Sequence, residues 1–86
     1  MEIKFLETAQ KQLEKLDKAT SRIISRYVAD RLITADNPRR FGKALSGNLK
    51  EFWCYRVGDY RIICNILDGE ILILVVRIAH RREAYD

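Results

Sequence analysis

The chain divides into a first half patterned at helical period and a second half patterned at strand period. Glu2-Ile3-Lys4-Phe5 alternates polar and apolar residues and predicts a short strand. Ala9, Leu13 and Leu16 then recur at spacings of four and three, which predicts a first helix with Thr8 as its expected N-cap. After a tight joint, Asp17 is placed to cap a second helix. The expected apolar face of that helix is Ile23, Ile24, Tyr27, Val28 and Leu32, flanked by Arg22, Arg26, Asp30 and Arg31. The two helices read as an αα-hairpin laid on an apolar surface. Asn37-Pro38 ends this region and predicts a short third turn, with Asn37 as cap and Pro38 at the first helical position. Gly42, Gly47 and Asn48 mark a loop around Ala44-Leu45.

Beyond that loop the pattern predicts a three-strand meander. Phe52 to Val57 and Tyr60 to Leu67 flank a two-residue turn at Gly58-Asp59. Asp68-Gly69 carries the signal of a type I′ turn, and Glu70 to Ala79 is the last strand. Ile71 to Val76 is apolar on both faces, so that strand is expected to be central and covered on both sides. The fold class is α+β, a βααβββ order in a single domain spanning residues 1–86, with no internal repeat or linker.

The register of the first hairpin has a chemical consequence. With Gly58-Asp59 as the loop, Arg56 lies opposite Arg61. Like charges directly opposed destabilise a sheet, and the obvious carboxylates, Asp59 and Asp68, are in turns. Either both arginines splay into water with their stems packed, or they share an anion, as a phosphate clamp would. The same register sets Cys54 opposite Ile63 and Cys64 opposite Trp53, so the two thiols point to opposite faces, which argues against a disulfide. Two cysteines and one distant histidine do not make a zinc site, so no metal is expected and both thiols should pack as small apolar groups.

Charge sharpens the picture. The net charge of +4 is unevenly placed. Residues 39–82 hold nine Lys/Arg against four acids, whereas residues 1–38 hold seven against six. The strand half thus carries the positive field, favouring a polyanion or an acidic protein as partner. No stretch is long enough to span a membrane, and Met1 to Gln10 lacks the basic start and cleavage site of a signal peptide, so a cytoplasmic location and no membrane partner are expected. The apolar last strand runs into His80-Arg81-Arg82-Glu83-Ala84-Tyr85-Asp86. Two guanidinium forks, an imidazole that titrates near neutrality and a phenol suit binding and cleaving a phosphodiester. The bland alternative is a solvated basic tail.

Four separated segments carry a family resemblance: Leu16-Asp17-Lys18, Pro38-Arg39-Arg40 with Gly42-Lys43-Ala44-Leu45, Tyr55-Arg56-Val57-Gly58-Asp59-Tyr60-Arg61, and His80-Arg81-Arg82-Glu83-Ala84-Tyr85. In this order they resemble the RelE branch of the RelE/ParE toxin superfamily along almost the whole chain. The resemblance implies a twisted antiparallel sheet with the helical hairpin on one face, and a toxin encoded with a RelB-like antitoxin. It implies a ribosome-dependent endoribonuclease that cuts mRNA without metal or cofactor by attack of a 2′-OH on the adjacent phosphate, and so inhibits translation. Operator DNA would be met only through the antitoxin. By the same resemblance, Arg61 and Arg81 would stabilise the phosphorane, and Tyr85 would stack on a base and take part in proton transfer. His80 and Glu83 compete with Tyr85 for the acid/base role. Arg56, Arg82, Lys43 and Lys50 would bind RNA phosphates. Cys54 departs from the Lys or Arg that family members commonly carry there, removing one charge that Lys43 or Lys50 could replace. Two other readings stay open: a ParE-like gyrase poison without nuclease activity, and an inactive paralogue that only binds its antitoxin and represses.

Overall fold

The computed structural model describes residues 2–33, 37–45, 52–70 and 72–82. Strand β1 spans Glu2–Phe5 and helix α1 spans Glu7–Glu14. The N-cap of α1 is Leu6, not the expected Thr8, and no side chain caps it. The cause is the sheet: Leu6 N–H still donates to the Val75 carbonyl at 2.8 Å, while its own carbonyl accepts from Gln10 at 2.9 Å. The chain therefore turns from strand to helix at one residue, and Glu7 enters the first turn, paired with Lys11 at 3.1 Å.

Helix α2 spans Lys18–Tyr27 and opens as expected on Asp17, whose carboxylate accepts from Thr20 N–H at 3.1 Å and from its hydroxyl at 2.6 Å. Hydrogen bonds from Thr20 hold the Asp17 carboxyl below its usual range. The helix continues as a π-turn over Val28–Ile33. Ile24, Val28 and Leu32 are buried and Tyr27 half-buried, but Ile23 is 59% exposed and leaves the predicted face. Ile24, Val28 and Leu32 recur every fourth position and form the buried stripe, while Ile23, one position before it, turns to solvent. A single 3₁₀ turn, Pro38–Arg40, follows, with Asn37 capping it through Arg39 N–H at 3.0 Å.

Among the described residues the sheet has five strands, in the spatial order β1, β5 (Leu72–His80), β4 (Tyr60–Leu67), β3 (Phe52–Val57) and β2 (Lys43–Ala44). Lys43–Ala44, expected in a loop, forms a short edge strand, β2, antiparallel to β3 (Phe52–Val57). Strands β4 (Tyr60–Leu67) and β5 (Leu72–His80) complete the antiparallel meander. The sheet is mixed, because β1 pairs with β5 in parallel. Gly58-Asp59 is the two-residue turn the pattern predicts, with Gly58 at φ +59°. The second turn differs. Leu67 pairs with Leu72 across a 3₁₀ turn at Asp68–Glu70, in place of the two-residue type I′ loop. Gly69 does not take the positive φ that a type I′ turn requires.

Both helices lie on one face of the sheet. Ala9, Leu13, Ile24, Val28 and Leu32 bury against Tyr55, Val57, Ile62, Cys64, Ile66, Ile73, Val75 and Ile78. The opposite face carries a smaller cluster of Leu45, Cys54 and Ile63, with Phe52 and Val76 beside it. Strand β5 is interior, as predicted, but not covered on both sides. Ile73 and Val75 are fully buried, whereas Leu72, Leu74 and Val76 are half-buried. Neither Cys54 nor Cys64 forms a disulfide; one lies in each cluster, and burial pushes the Cys64 thiol well up.

One irregularity sets the chemistry of the open face. Ile63 pairs with Arg77 and Cys64 with Val75, so β5 holds one extra residue there, a β-bulge. Regular pairing from Cys64–Val75 would set Arg77 opposite the fully buried Ile62 and turn it toward the helices. The bulge restores the parity. Ile78 takes the position facing Ile62 in the core, and Arg77 comes to the Ile63 side. Where β5 runs on past the end of β1, Gln12 of α1 takes over: its Oε1 accepts from Ile78 N–H at 2.8 Å.

Candidate functional site

The open face is basic along two cross-strand rows. One row is Arg56–Arg61–Ala79, read across β3, β4 and β5. The other is Lys43–Cys54–Ile63–Arg77, read across β2 to β5. Directly opposed residues have Cβ atoms about 4.5–5.5 Å apart, so Arg56 and Arg61 start from adjacent roots. Arg56 is exposed. Arg61 is 7% exposed and is the one buried charged side chain among the described residues. Its neighbour on β5 is small, Ala79, which leaves room for the arginine stem. A guanidinium already stripped of most of its water acts on an oxyanion through a low local dielectric, where the attraction is larger than at an exposed site.

Arg81 closes the end of this face. Its N–H donates to the Asp59 carbonyl at 2.6 Å, and its Nε lies 3.9 Å from Asp59 Oδ1. That ion pair is exposed on both sides, 56% and 66%, and is weak in water. A phosphate could therefore displace the carboxylate at little cost. Arg82 is exposed beside it, and its N–H donates to His80 Nδ1 at 3.3 Å.

His80 lies apart from the arginine row. It pairs with Tyr60, on the face that carries the helices, and the two rings meet edge to face at 5.4 Å. Arg61 and His80 are therefore rooted on opposite sides of the sheet. Tyr85, Glu83 and Lys50 lie outside the described residues. Lys43 stands on the open face through its pairing with Cys54. The departure at Cys54 is thus flanked by Lys43 on one side and by Arg56 two residues along its own strand.

Two features escaped the sequence reading. Arg77 was visible only as a charge, because its face depends on the bulge. No pattern marked it, because Ile71 to Val76 is apolar throughout and carries no alternation for the bulge to break. The other is a cavity of about 340 Å³ lined by Tyr27, Phe41, Gly42, Lys43, Cys54 and Arg56. Gly42 forms its turn at φ +74°, and a Cβ there would collide with the Cys54 carbonyl oxygen, so only glycine fits. The Trp53 indole donates to the Phe41 carbonyl at 2.6 Å, and the Tyr55 hydroxyl donates to the Pro38 carbonyl at 2.8 Å. These bonds anchor the Pro38–Gly42 segment to β3. Burial pushes up the phenols of Tyr55 and Tyr27 and keeps both protonated.

A helical hairpin packed on one face of a small sheet, with a cationic second face, defines the class: a small α+β protein with a basic open face. Residues 3–85 match the family described as ParE toxin of type II toxin–antitoxin system, parDE. The chain is 32% identical over 78 residues to Toxin RelE of Mycobacterium tuberculosis, covering 91% of this chain and 78% of that protein. It superposes with a TM-score of 0.84 on the toxin–antitoxin complex RelBE2 of Mycobacterium tuberculosis, at 28% identity and over 93% of this chain and 96% of that one. It also superposes on the archaeal RelE–RelB complex of Pyrococcus horikoshii OT3, with a TM-score of 0.69 and 26% identity over 96% and 97% of the two chains. The chain belongs to the ParE toxin family, and is a type II toxin of the RelE/ParE superfamily. No helix among the described residues is long and apolar enough to cross a membrane.

Proposed function

We propose that this toxin is a ribosome-dependent mRNA endoribonuclease, acting in the cytoplasm and held in check by an antitoxin. The carrying observation is the cross-strand pair of buried Arg61 and exposed Arg56, with Arg81 at the same end of the sheet. In the proposed reaction the substrate's 2′-oxygen loses its proton and attacks the adjacent phosphorus. The phosphorus–O5′ bond breaks, O5′ takes up a proton, and the products are a 2′,3′-cyclic phosphate and a 5′-hydroxyl. Arg61 and Arg81 stabilise the charge that builds on the phosphorane. Arg56, Arg82, Lys43 and Lys50 hold flanking phosphates. Proton transfer falls to Tyr85 or His80. A phenol serves at neutral pH only where cations favour the phenolate. The His80 ring lies against Tyr60 on the helix-covered face, away from the Arg56–Arg61 row, so we assign proton transfer to Tyr85 first and to His80 second. No step calls on a metal. An antitoxin partner is supported by the toxin–antitoxin complexes among the structural relatives, and it would cover the basic face with acidic groups and an apolar segment.

Cleavage of mRNA on purified ribosomes tests the reading. The expected products carry 5′-hydroxyl ends, and 5′-phosphate ends would sink the mechanism. Tyr85→Phe keeps the ring and loses the proton. It should bind antitoxin normally and cut one to several orders of magnitude more slowly, the scale of a lost general acid or base. Equal cutting by Tyr85→Phe and slow cutting by His80→Gln would move proton transfer to His80. The family match to ParE toxins favours one second reading, a gyrase poison. Intact mRNA on ribosomes together with inhibited gyrase would establish it.

A further inference from the structure

Beyond the arginine row, the cavity at the β2–β3 edge has a composition of its own. Two half-buried aromatic rings, Phe41 and Tyr27, form part of its wall, and two exposed cations, Lys43 and Arg56, line the same space. The volume of about 340 Å³ falls at the small end of ligand pockets. The Arg31 guanidinium lies over the Phe41 ring at 5.5 Å from its centroid, which holds that ring in place with a cation–π contact. The Trp53 indole fixes the backbone of the same residue, and Gly42 is the only residue that clears the Cys54 carbonyl beneath it. Phe41 is therefore held by its neighbours at both ring and backbone.

We infer that this cavity is a nucleobase subsite, in which one base of a single-stranded RNA packs against Phe41 while its phosphate meets Lys43 and Arg56. The inference rests on the RNA-cleaving reading in taking the ligand to be a nucleotide. Continuity carries it. Arg56 belongs both to the cavity lining and to the row with Arg61, so a strand whose scissile phosphate lies at Arg61 passes the cavity mouth one step away. Aromatic walls with adjacent cations are how single strands are bound: the rings take the base faces and the cations track the backbone. The lining combines aromatic residues with two cations, which suits a nucleotide better than a bare phosphate or an uncharged apolar group. It would impose a base preference at one position flanking the cut, independent of the groups that perform the cut.

The chain carries a single tryptophan, and Trp53 Nε1 lies 3.0 Å from where a Gly42 Cβ would stand, so its fluorescence reports on the cavity. The experiment titrates the intact chain with the four nucleoside 5′-monophosphates, with ribose 5-phosphate and inorganic phosphate as comparison arms. Saturable quenching by nucleotides, at least tenfold weaker binding of ribose 5-phosphate, and preference for one base are expected. Phe41→Leu keeps apolar volume and loses the ring. It should weaken nucleotide binding on the order of tenfold, the scale of one base stack, and Phe41→Tyr should restore it. Equal binding of ribose 5-phosphate and nucleotides, no saturable binding at all, or a Phe41→Leu variant that is folded and binds like the parent would each overturn the inference. The titration involves neither ribosomes nor cleavage. A chain that cuts mRNA but shows no Phe41-dependent binding loses the subsite and keeps the nuclease reading. One that binds nucleotides through Phe41 but cuts nothing keeps the subsite and loses the nuclease reading.

Discussion

The two faces of one sheet answer to different physics. The helix-covered face is built from Ile62, Ile73, Val75 and Ile78, all nearly or fully inaccessible, and its residues are exchangeable in kind if volume is conserved. The open face carries Lys43, Arg56, Arg61 and Arg77 across four strands, and there the register specifies charge positions. A strand alternates by necessity, so every residue that stabilises one face assigns its neighbour to the other. The candidate site on this scaffold is made from the residues between the core residues.

Substitutions should separate the faces. The largest effect is expected from Ile73→Ala, which empties a fully buried position and should cost about 2–5 kcal/mol in urea denaturation. Leu74→Ala, on the half-buried side of the same strand, should cost about 1 kcal/mol. Equal losses would mean the open face is covered after all. Next, Arg61→Ala should lower kcat on ribosomes by roughly 10²-fold, and Arg81→Ala likewise. Arg56→Ala should act mainly on affinity; if all three variants lose only affinity and to the same degree, the division between buried and exposed cations is wrong. Arg77→Gln is expected to be milder. It should reduce the slope of log affinity for single-stranded RNA against log salt by roughly 1, with unchanged stability. An unchanged slope would place Arg77 outside the RNA path.

The smallest effect belongs to the remote helix end. The Asp17 carboxyl titrates below 3.8 in the folded chain, so it binds a proton less readily than in the unfolded chain. Its stabilising contribution is complete above the unfolded value and disappears as pH falls through the lowered folded one. Asn also caps a helix but does not titrate. Asp17→Asn should therefore match the parent at pH 7 and show a shallower loss of Tm on acidification. Parallel acid limbs would remove Asp17 from the pH response.

Much of this was legible in the residues. The Gly58-Asp59 turn set the Arg56–Arg61 opposition and the opposed thiols directly, because a two-residue loop leaves one register. Asp17 and Asn37 announced their caps through local chemistry. Ile23 misled because a run of two isoleucines does not reveal which one faces the sheet. The edge strand at Lys43–Ala44 was hidden because two residues carry no periodicity, and only the pairing with Trp53 and Cys54 makes them a strand. Asp68-Gly69 misled because turn propensity is local, while the observed loop is set by how Leu72 and Ile73 pair with Leu67 and Ile66. The face of Arg77 needed the bulge, and the wall of the cavity needed Tyr27 and Phe41, fourteen residues apart, to meet.

The place of β5 has a consequence for how such a chain is made. It is the last strand in sequence and the second in the sheet, joined to β1 on one side and β4 on the other. Its parallel partners, Glu2 and Leu72, are seventy positions apart. Until that segment has been synthesised, β1 has no neighbour, β4 has a bare edge, and Arg81 is not yet part of the chain. Such long-range closure is slow, because the loop entropy must be overcome before any pairing is formed. A growing chain therefore lacks the closed sheet, and with it the full candidate face, until β5 has been made. Whatever neutralises the protein has the interval between synthesis and closure in which to arrive.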